Sequence, residues 1–384
     1  MLSFNKPHMT GRETEYICQA VDSGKLSGNG EFTRKCQSYF EKRYRYKKCL
    51  LTTSCTDALE MAALLTGVGP DDEVIVPSYT FVSSALAFVR TGAKIVFCDS
   101  YTGQPNIDPS EIEKLITPRT KVIVPVHYAG VACDMDAIMD IAQRHDLLVV
   151  EDAAQAIDSF YISGRATASP LKRALGSIGH LAAFSFHETK NIISGEGGML
   201  VVNDERFVRR AEILWEKGTN RAEFFRGEVN KYGWIDIGSS FLPSEIVAAF
   251  LWAQLEHLDE IQDRRKAIWQ MYCDELKPLA ERGFFHLPFI PAYATNNAHM
   301  FYLLFQDLAK RTDFIRRMKE RDVQCVFHYL ALHSSDFYRT IHGERTLPNC
   351  DRFADCLVRL PLYCDLGTAG VAHVVGLIKE VVSV

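Results

Sequence analysis

The sequence predicts an α/β fold with a large, mainly parallel sheet domain and a small C-terminal α+β domain. Between about residues 47 and 202, short continuous apolar runs alternate with segments of helical periodicity. Uninterrupted apolar runs are typical of parallel strands covered on both faces by helices. The chain also has 384 residues, 47% of them hydrophobic, which is enough for a main domain and a smaller one.

The strands and helices follow from these patterns in chain order. The predicted strands are 74–76, 94–97, 122–126, 147–150, 181–184 and 199–202, and the predicted helices are about 56–66, 80–91, 109–116 and 134–145. Asp134 offers an N-cap for the last of these helices. A long amphipathic helix is expected from about Pro243 into the 270s, broken by Pro278.

The C-terminal part is predicted to be separate. Gly, Pro and Asn residues concentrate in 283–298, which is typical of a linker region. We expect a large domain at 1–265 and a small one at 266–384.

Charge and cysteine usage exclude several classes of partner. The net charge is −5, which does not favour nucleic acid or a membrane surface. No stretch approaches the roughly 20 apolar residues that cross a bilayer. The 11 cysteines form no Cys-x-x-Cys pair, and the N-terminus shows no signal-peptide pattern, so a cytoplasmic location is expected.

A lysine and an aspartate carry the chemistry. Asp152 follows the apolar run 147–150, and side chains at the ends of such strands face the ligand crevice of an open sheet. Lys190 lies in a Ser/Gly-rich loop after the run 181–184. A pyridoxal phosphate (PLP) enzyme needs this pair, because the lysine holds the cofactor as a Schiff base and the carboxylate partners the pyridine nitrogen. For Asp152, a helix cap or a structural ion pair is the alternative.

A phosphate site is predicted beside them. Ser54, Cys55 and Thr56 form a polar turn that runs into a helix, whose free N–H groups and dipole attract anions. Ser185 is a further candidate phosphate ligand. Ordinary helix capping and a strand serine are the alternatives. Cys55 is expected to be a small residue rather than a nucleophile.

Two residues are candidates for contacts with the cofactor ring. Phe81 follows a strand and can stack on the ring, and Gln155 can reach the ring hydroxyl. A core aromatic and a surface amide are the alternatives. No metal site is expected, since His187 and Glu188 lack the second histidine of H-E-x-x-H. The absence of Gly-x-Gly-x-x-Gly after the first strand disfavours a dinucleotide enzyme.

Taken in order, these segments resemble the DegT/DnrJ/StrS-type sugar-nucleotide aminotransferases, which have the PLP-dependent transferase fold type I (aspartate aminotransferase-like). The segments are 26–30 (active-site loop), 54–56 (phosphate turn), Phe81, 152–156 (ring motif), Ser185 and Lys190. Relatives that carry histidine in place of this lysine catalyse dehydration, so Lys190 implies transamination.

The resemblance also implies contacts with the substrate and between subunits. Ser240 stands where many members have an asparagine that reaches the PLP phosphate of the neighbouring subunit, which implies a homodimer with shared active sites. Arg221 and Arg226 are candidates for binding the substrate's diphosphate. His328 and Tyr329 lie in a motif that is similar to the family's substrate-side segment.

One branch of the family shares the Gly-Ser-Ser variant at 238–240. It implies transfer of the amino group of L-glutamate to the 4-keto group of a dTDP-4-keto-6-deoxyhexose. The products are dTDP-4-amino-4,6-dideoxygalactose and 2-oxoglutarate, in pathways of the enterobacterial common antigen type. The gluco epimer, a 3-amino sugar nucleotide and a non-catalytic PLP-binding regulator are the alternatives.

Overall fold

A computed structural model describes residues 1–164 and 171–382. The helices are α1 (Glu13–Asp22), α2 (Glu31–Tyr44), α3 (Cys55–Thr66), α4 (Ser83–Val89), α5 (Pro109–Leu115), α6 (Met135–His145), α7 (Glu205–Trp215), α8 (Arg221–Phe225), α9 (Glu245–Glu256), α10 (Leu258–Glu281), α11 (Leu308–Lys319), α12 (Asp336–His342), α13 (Pro348–Cys356) and α14 (Gly367–Val382). The strands are β1 (Lys48–Thr52), β2 (Glu73–Pro77), β3 (Lys94–Cys98), β4 (Thr120–Ile123), β5 (Leu148–Asp152), β6 (Phe160–Ser163), β7 (Leu171–Ala174), β8 (Leu181–Ser185), β9 (Gly198–Val202), β10 (Phe301–Leu304), β11 (Val326–Phe327) and β12 (Leu357–Leu360).

The large sheet has the order β1-β9-β8-β5-β4-β2-β3. β9 runs antiparallel to both of its neighbours, and the other pairings are parallel. Alternate side chains enter two cores. Ile75 of β2 packs in the core that α2, α6 and α9 cover, while Val74 and Val76 pack in the core under α3, α4 and α7. The predicted fold class, with a mainly parallel sheet buried on both faces, is confirmed.

The predicted long helix is wrong in two respects. The chain forms two helices, α9 and α10, which are separated at His257. α10 then continues through Pro278 to Glu281 instead of breaking there. Leu276 and Leu279 are buried on either side of the proline, so packing holds the last turn despite the missing N–H group.

The small sheet β10-β12-β11 is antiparallel and packs against α10, α11 and α14 around a third core. α10 joins this core to the rest of the molecule. Its Leu258 and Ile261 pack in the large-sheet core, while Tyr272 and Leu276 pack in the small-sheet core. The predicted boundary between the two domains, at 265/266, falls within this helix and stays a prediction. The last two residues of the predicted small domain, 383–384, lie outside the described residues.

None of the helices in the described part of the chain is both long enough and apolar enough to span a bilayer.

Candidate active site

A cleft of about 850 Å³ opens where β5 and β8 end, between the large sheet and the small one. It brings together ten of the residues that the sequence predicts for the site: Ser54, Cys55, Thr56, Phe81, Asp152, Gln155, Ser185, Lys190, His328 and Tyr329. They come from strand ends, from the start of α3 and from the segment after β11. Residues far apart in the chain therefore meet at the crevice expected of an open α/β sheet.

Asp152 is the last residue of β5 and is only 5% exposed. Ser84 donates its hydroxyl to Oδ2 at 2.6 Å, and the N–H group of Ala154 donates to Oδ1 at 3.1 Å. Within the described residues, no cationic side chain forms an ion pair with this carboxylate. The hydrogen bonds hold Asp152 in position, and its charge remains available to a cation in the cleft, as a protonated pyridine nitrogen would require.

Lys190 lies in the loop after β8, where its N–H group donates to the carbonyl of His187 at 2.9 Å. Burial lowers the pKa of the Lys190 amine from 10.5, although neighbouring Cys55 and Asp152 oppose the shift. The lowered pKa increases the neutral, nucleophilic fraction of the amine. Burial raises the pKa of the Cys55 thiol well above 9.0, so Cys55 is not a thiolate nucleophile at neutral pH.

The start of α3 forms an anion-binding corner of the cleft. Ser54 caps the helix by accepting a hydrogen bond from the N–H group of Asp57 at 3.1 Å, and the Thr56 hydroxyl lies 2.8 Å from that of Ser83. The first N–H groups of a helix have no intrahelical acceptor, and the helix dipole favours a phosphate there. Ser185 lines the same cleft from the end of β8.

Gly198 explains how closely β9 approaches this corner. A methyl group built on Gly198 would overlap the carbonyl carbon of Ser54 and the backbone nitrogen of Cys55. Only glycine therefore lets the strand pack directly on the first turn of α3. Gly198, at the end of the glycine-rich segment 195–198, thus packs directly against the backbone of the anion-binding corner.

The residues predicted to contact the cofactor ring, Phe81 and Gln155, line the same cleft. Gln155 accepts a hydrogen bond from the N–H group of Ala129 at 2.6 Å and donates to the Tyr329 hydroxyl at 2.9 Å. Tyr329 has a φ of 45° and stacks on the His328 ring at 3.5 Å between centroids. Phe81 is 56% exposed at the cleft, so it is not a core aromatic.

Three predicted residues lie outside this cleft. Arg221 and Ser240 line a separate surface depression, and Arg226 forms ion pairs with Glu212 at 2.8 Å and Glu228 at 2.7 Å. Within one chain, none of the three therefore lines the cleft that contains Lys190. Their roles stay predictions, and for Ser240 the prediction already places the contact in the neighbouring subunit.

Sequence reasoning missed several residues that shape the cleft. Ser84 orients Asp152, the Tyr128 hydroxyl lies 2.7 Å from Nδ1 of His328, and Arg359 lines the cleft from β12. Of these, only Arg359 leaves a signal in the sequence, as a charged residue within the otherwise apolar run 357–362.

The fold, with a lysine and a carboxylate at its strand ends, defines a PLP-dependent transferase of fold type I. The sequence profile described as the DegT/DnrJ/EryC1/StrS aminotransferase family matches residues 7–379. The chain belongs to this family and is an aminotransferase.

Three relatives illustrate the similarity. The spore coat polysaccharide biosynthesis protein SpsC of Bacillus subtilis is 33% identical over 391 residues, covering 99% of this chain and 97% of the relative. The GDP-perosamine synthase of Caulobacter vibrioides is 32% identical over 342 residues, covering 89% of this chain and 85% of the relative. The crystal structure of S. venezuelae DesV superposes with a TM-score of 0.86 at 30% identity, covering 97% and 95% of the two chains.

The family uses pyridoxal phosphate, so the predicted cofactor is confirmed. The cleft fits this cofactor on three independent features. It has an amine whose pKa is lowered, a buried carboxylate without a cationic partner in the described chain, and a helix start faced with hydroxyl groups. These match the aldehyde, the ring nitrogen and the phosphate of the cofactor, respectively.

Proposed function

We propose that the protein transfers the amino group of L-glutamate to the 4-keto group of a dTDP-4-keto-6-deoxyhexose. The products are dTDP-4-amino-4,6-dideoxygalactose and 2-oxoglutarate, for cell-surface polysaccharide synthesis. The observation that carries the proposal is the convergence of Lys190 and Asp152 in one cleft of this fold. The names of the relatives, one a polysaccharide biosynthesis protein and one a GDP-perosamine synthase, support a sugar-linked acceptor.

Lys190 moves the proton in this scheme. Pyridoxal phosphate, when bound, supplies an electron-withdrawing ring that makes the α-carbon of the amino donor acidic. The Lys190 amine is the group that would hold the cofactor at its aldehyde carbon, and the free amine would take the proton from the donor α-carbon. In the second half of the reaction the same amine would deliver to C4 of the sugar the proton that it takes back from the cofactor carbon. The lowered pKa of the amine supports its role as a base near neutral pH.

The other residues bind and orient. Asp152 keeps the ring nitrogen protonated, and Ser84 holds the carboxylate in place. Ser54, Thr56 and Ser185 bind the cofactor phosphate together with the N-terminus of α3. His328 and Tyr329 line the wall on the sugar side. Burial holds the pKa of His328 well below 6.5, so its imidazole acts as a neutral hydrogen-bonding group.

A homodimer with shared sites is part of the proposal. Large apolar side chains are exposed near Ser240, including Phe225 at 67% and Trp234 at 83%. Exposed apolar surface of this kind is typical of an interface. A second copy covering the segment 224–237 would bring Ser240 and the arginines Arg221 and Arg226 toward the cleft of the first. Sedimentation velocity tests this: a dimer is expected, and a monomer at micromolar concentration with full activity would contradict it.

The position and stereochemistry of the new amine in the product test the proposed reaction. The purified protein is incubated with glutamate and dTDP-4-keto-6-deoxyglucose, and the product is analysed by NMR. An axial amine at C4 supports the proposal, whereas an equatorial amine or an amine at C3 contradicts the galacto assignment. The GDP-linked keto sugar is run in parallel, and a strong preference for it would overturn the dTDP assignment.

A further inference from the structure

Two segments that line the active-site cleft are joined by residues outside it. Residues 78–81, the ring-side segment, follow β2 and include Phe81. Residues 328–333, the sugar-side segment, follow β11 and include His328 and Tyr329. All three of these side chains line the cleft. The bonds between the two segments therefore set how the side chains face each other.

Ser78 and His333 make the joint. The Ser78 hydroxyl oxygen lies 2.7 Å from Nδ1 of His333 and accepts a hydrogen bond from the backbone N–H group of His333 at 3.0 Å. The carbonyl of Ser78 accepts from the N–H group of Leu332 at 2.9 Å. Ser78 is 0% exposed and His333 is 1% exposed. Water does not replace a bond lost at such a site, so each polar group depends on its present partner.

Asp351 determines which nitrogen of His333 carries the proton. Nε2 of His333 lies 3.2 Å from a carboxylate oxygen of Asp351 in α13, so Nε2 holds the hydrogen and donates it. Nδ1 then accepts from the Ser78 hydroxyl. Burial lowers the pKa of His333, although Asp351 opposes the shift, so the imidazole is neutral near pH 7. The order Ser-His-Asp is that of a hydrolase triad, but Ser78 is shielded from solvent and cannot reach a substrate.

Tyr329 needs this joint because its backbone is strained. Its φ of 45° is a left-handed conformation that costs a side chain of this size about 1–3 kcal/mol. The Tyr79 hydroxyl donates to the carbonyl of His328, directly before the strained residue, at 2.7 Å. The Ser78–His333 bonds follow four residues after it. The ring-side segment therefore holds the strained residue from both directions along the chain.

The strained conformation brings the Tyr329 side chain to the residues predicted to contact the cofactor ring. Its hydroxyl accepts from the side-chain amide of Gln155 at 2.9 Å, and its ring lies 6.0 Å from that of Phe81 between centroids. A relaxed backbone at Tyr329 would turn the side chain away from both. The place of this wall of the cleft thus depends on the joint between the two segments.

We propose that His333 is a positioning residue, which with Ser78 forms a latch between the sugar-side and ring-side segments. The latch fixes the position of His328 and Tyr329 against the sugar acceptor. The proposal rests on the proposed function, which places these two side chains on the sugar side. The glutamate half of the reaction uses groups of the large sheet and should depend on the latch much less.

Ser78→Ala tests the latch in the holoenzyme, because it removes the acceptor of the His333 N–H group. Loss of the cofactor's visible absorbance follows the glutamate half, and its return after addition of the keto sugar follows the second half. We expect the keto-sugar concentration for half-maximal rate to rise roughly tenfold, the range for a buried group left unpaired. The glutamate concentration should change by less than about threefold.

Ser100→Ala is the matched control. Ser100 is also 0% exposed, and its hydroxyl donates to the carbonyl of Pro105 at 2.8 Å. Its loss should lower the urea midpoint about as much as Ser78→Ala does, since both changes remove one buried hydrogen bond. It should leave both halves of the reaction within about twofold of wild type. The comparison separates a loss of stability from a loss of position.

Two substitutions of His333 provide a rescue test. Asparagine places an oxygen near the position of Nδ1, so His333→Asn can still accept from the Ser78 hydroxyl. Leucine has a comparable volume and no polar atom. His333→Asn should keep the sugar half within about threefold of wild type, whereas His333→Leu should show the roughly tenfold defect of Ser78→Ala.

Hydrogen exchange followed by mass spectrometry tests the latch without turnover. Peptides that cover 328–333 should exchange at least about tenfold faster in Ser78→Ala and His333→Leu than in wild type and Ser100→Ala. A peptide that covers β5 should exchange at the same rate in all four proteins.

The outcomes separate the latch from the proposed function. Unchanged exchange at 328–333 in Ser78→Ala overturns the latch, and faster exchange with an unchanged sugar half overturns its positioning role. An equal loss in both halves also contradicts the proposal, since it would indicate damage to the cofactor site. If wild type reacts with glutamate but with no keto sugar, the acceptor proposal fails. The exchange rates then decide alone whether Ser78 and His333 hold the sugar-side segment.

Discussion

Lys190 illustrates how one residue's environment prepares its chemistry. The amine is desolvated, and its pKa lies below the usual 10.5. Between the lowered pKa of the folded protein and the usual 10.5 of the unfolded chain, the unfolded chain binds more protons than the folded one. The free energy of unfolding that this group contributes therefore rises with pH through that window. Below the window, the folded apoprotein carries a shielded charge that the unfolded chain solvates freely.

Lys190→Met should therefore stabilise the apoprotein at pH 7, and this gain should shrink as the pH approaches 10.5. Urea denaturation at the two pH values measures the difference. Lys310→Met, at an exposed lysine of α11, is the control and should show a small effect that does not depend on pH. A gain that is equal at both pH values would contradict desolvation of the Lys190 amine.

Asp152→Asn tests the charge at the end of β5. Asparagine retains the shape, but its single amide oxygen can accept from only one of the two present donors, the Ser84 hydroxyl and the Ala154 N–H group. It cannot keep the ring nitrogen protonated, so the rate of the glutamate half-reaction should fall by roughly 10²- to 10³-fold. Ser84→Ala removes only one orienting hydrogen bond, worth about 1 kcal/mol, and should cost about fivefold. Equal losses in the two variants would indicate that orientation, not charge, is what matters.

Individual site residues differed in how well the sequence could predict them. Lys190, Asp152 and Ser185 follow apolar strands, and strand ends converge in this class of sheet. Ser84 could not be found, because its contact with Asp152 depends on how α4 packs against β5. Arg359 was missed because a charged residue in a strand is normally solvent-facing.

At the scale of elements, the start of α3 depends on a strand distant in sequence. Gly198→Ala would force β9 away from the first turn of α3, where Ser54 and Cys55 stand in contact with the glycine. We expect a loss of about 1–3 kcal/mol in the free energy of unfolding and weaker binding of pyridoxal phosphate. Gly69→Ala is the control, since no atom lies within 4 Å of its added methyl group. Urea denaturation measures the free energy of unfolding of each variant, and cofactor titration measures its affinity for pyridoxal phosphate. An unchanged cofactor affinity in Gly198→Ala would contradict the role of Gly198 in forming the anion-binding corner.

The sequence patterns predicted strand positions better than strand pairing. The six predicted strands all overlap strands of the large sheet, because continuous apolar runs indicate burial on both faces. They do not indicate direction, so the antiparallel placement of β9 was not foreseen. β1 was not predicted, since Lys48 and Thr52 at its ends interrupt the apolar pattern. The predicted helix break at Pro278 is wrong because the sequence pattern does not show that the neighbouring Leu276 and Leu279 are buried and hold the last turn.

At the scale of the whole molecule, two buried histidines make the fold sensitive to acid. Burial holds the pKa of both His299 and His328 well below 6.5. As the pH falls through 6.5 the unfolded chain takes up protons that the folded one does not, so stability is lost in this range. We expect the urea midpoint of the apoprotein to fall between pH 7.5 and pH 5.5, and His299→Gln to reduce the fall. A midpoint that rises on acidification would contradict the assignment of neutral imidazoles.

The central claim is that Lys190 holds pyridoxal phosphate and carries the proton of an amino transfer. Borohydride reduction of the purified holoenzyme, followed by peptide mass spectrometry, tests it most directly. We expect the reduced cofactor on the peptide that contains Lys190, and no labelling after prior reaction with glutamate. We also expect Lys190→Ala to be colourless and to lose roughly 10²- to 10⁴-fold in rate. A label on another lysine, or a Lys190→Ala protein that transaminates at the normal rate, would contradict the claim.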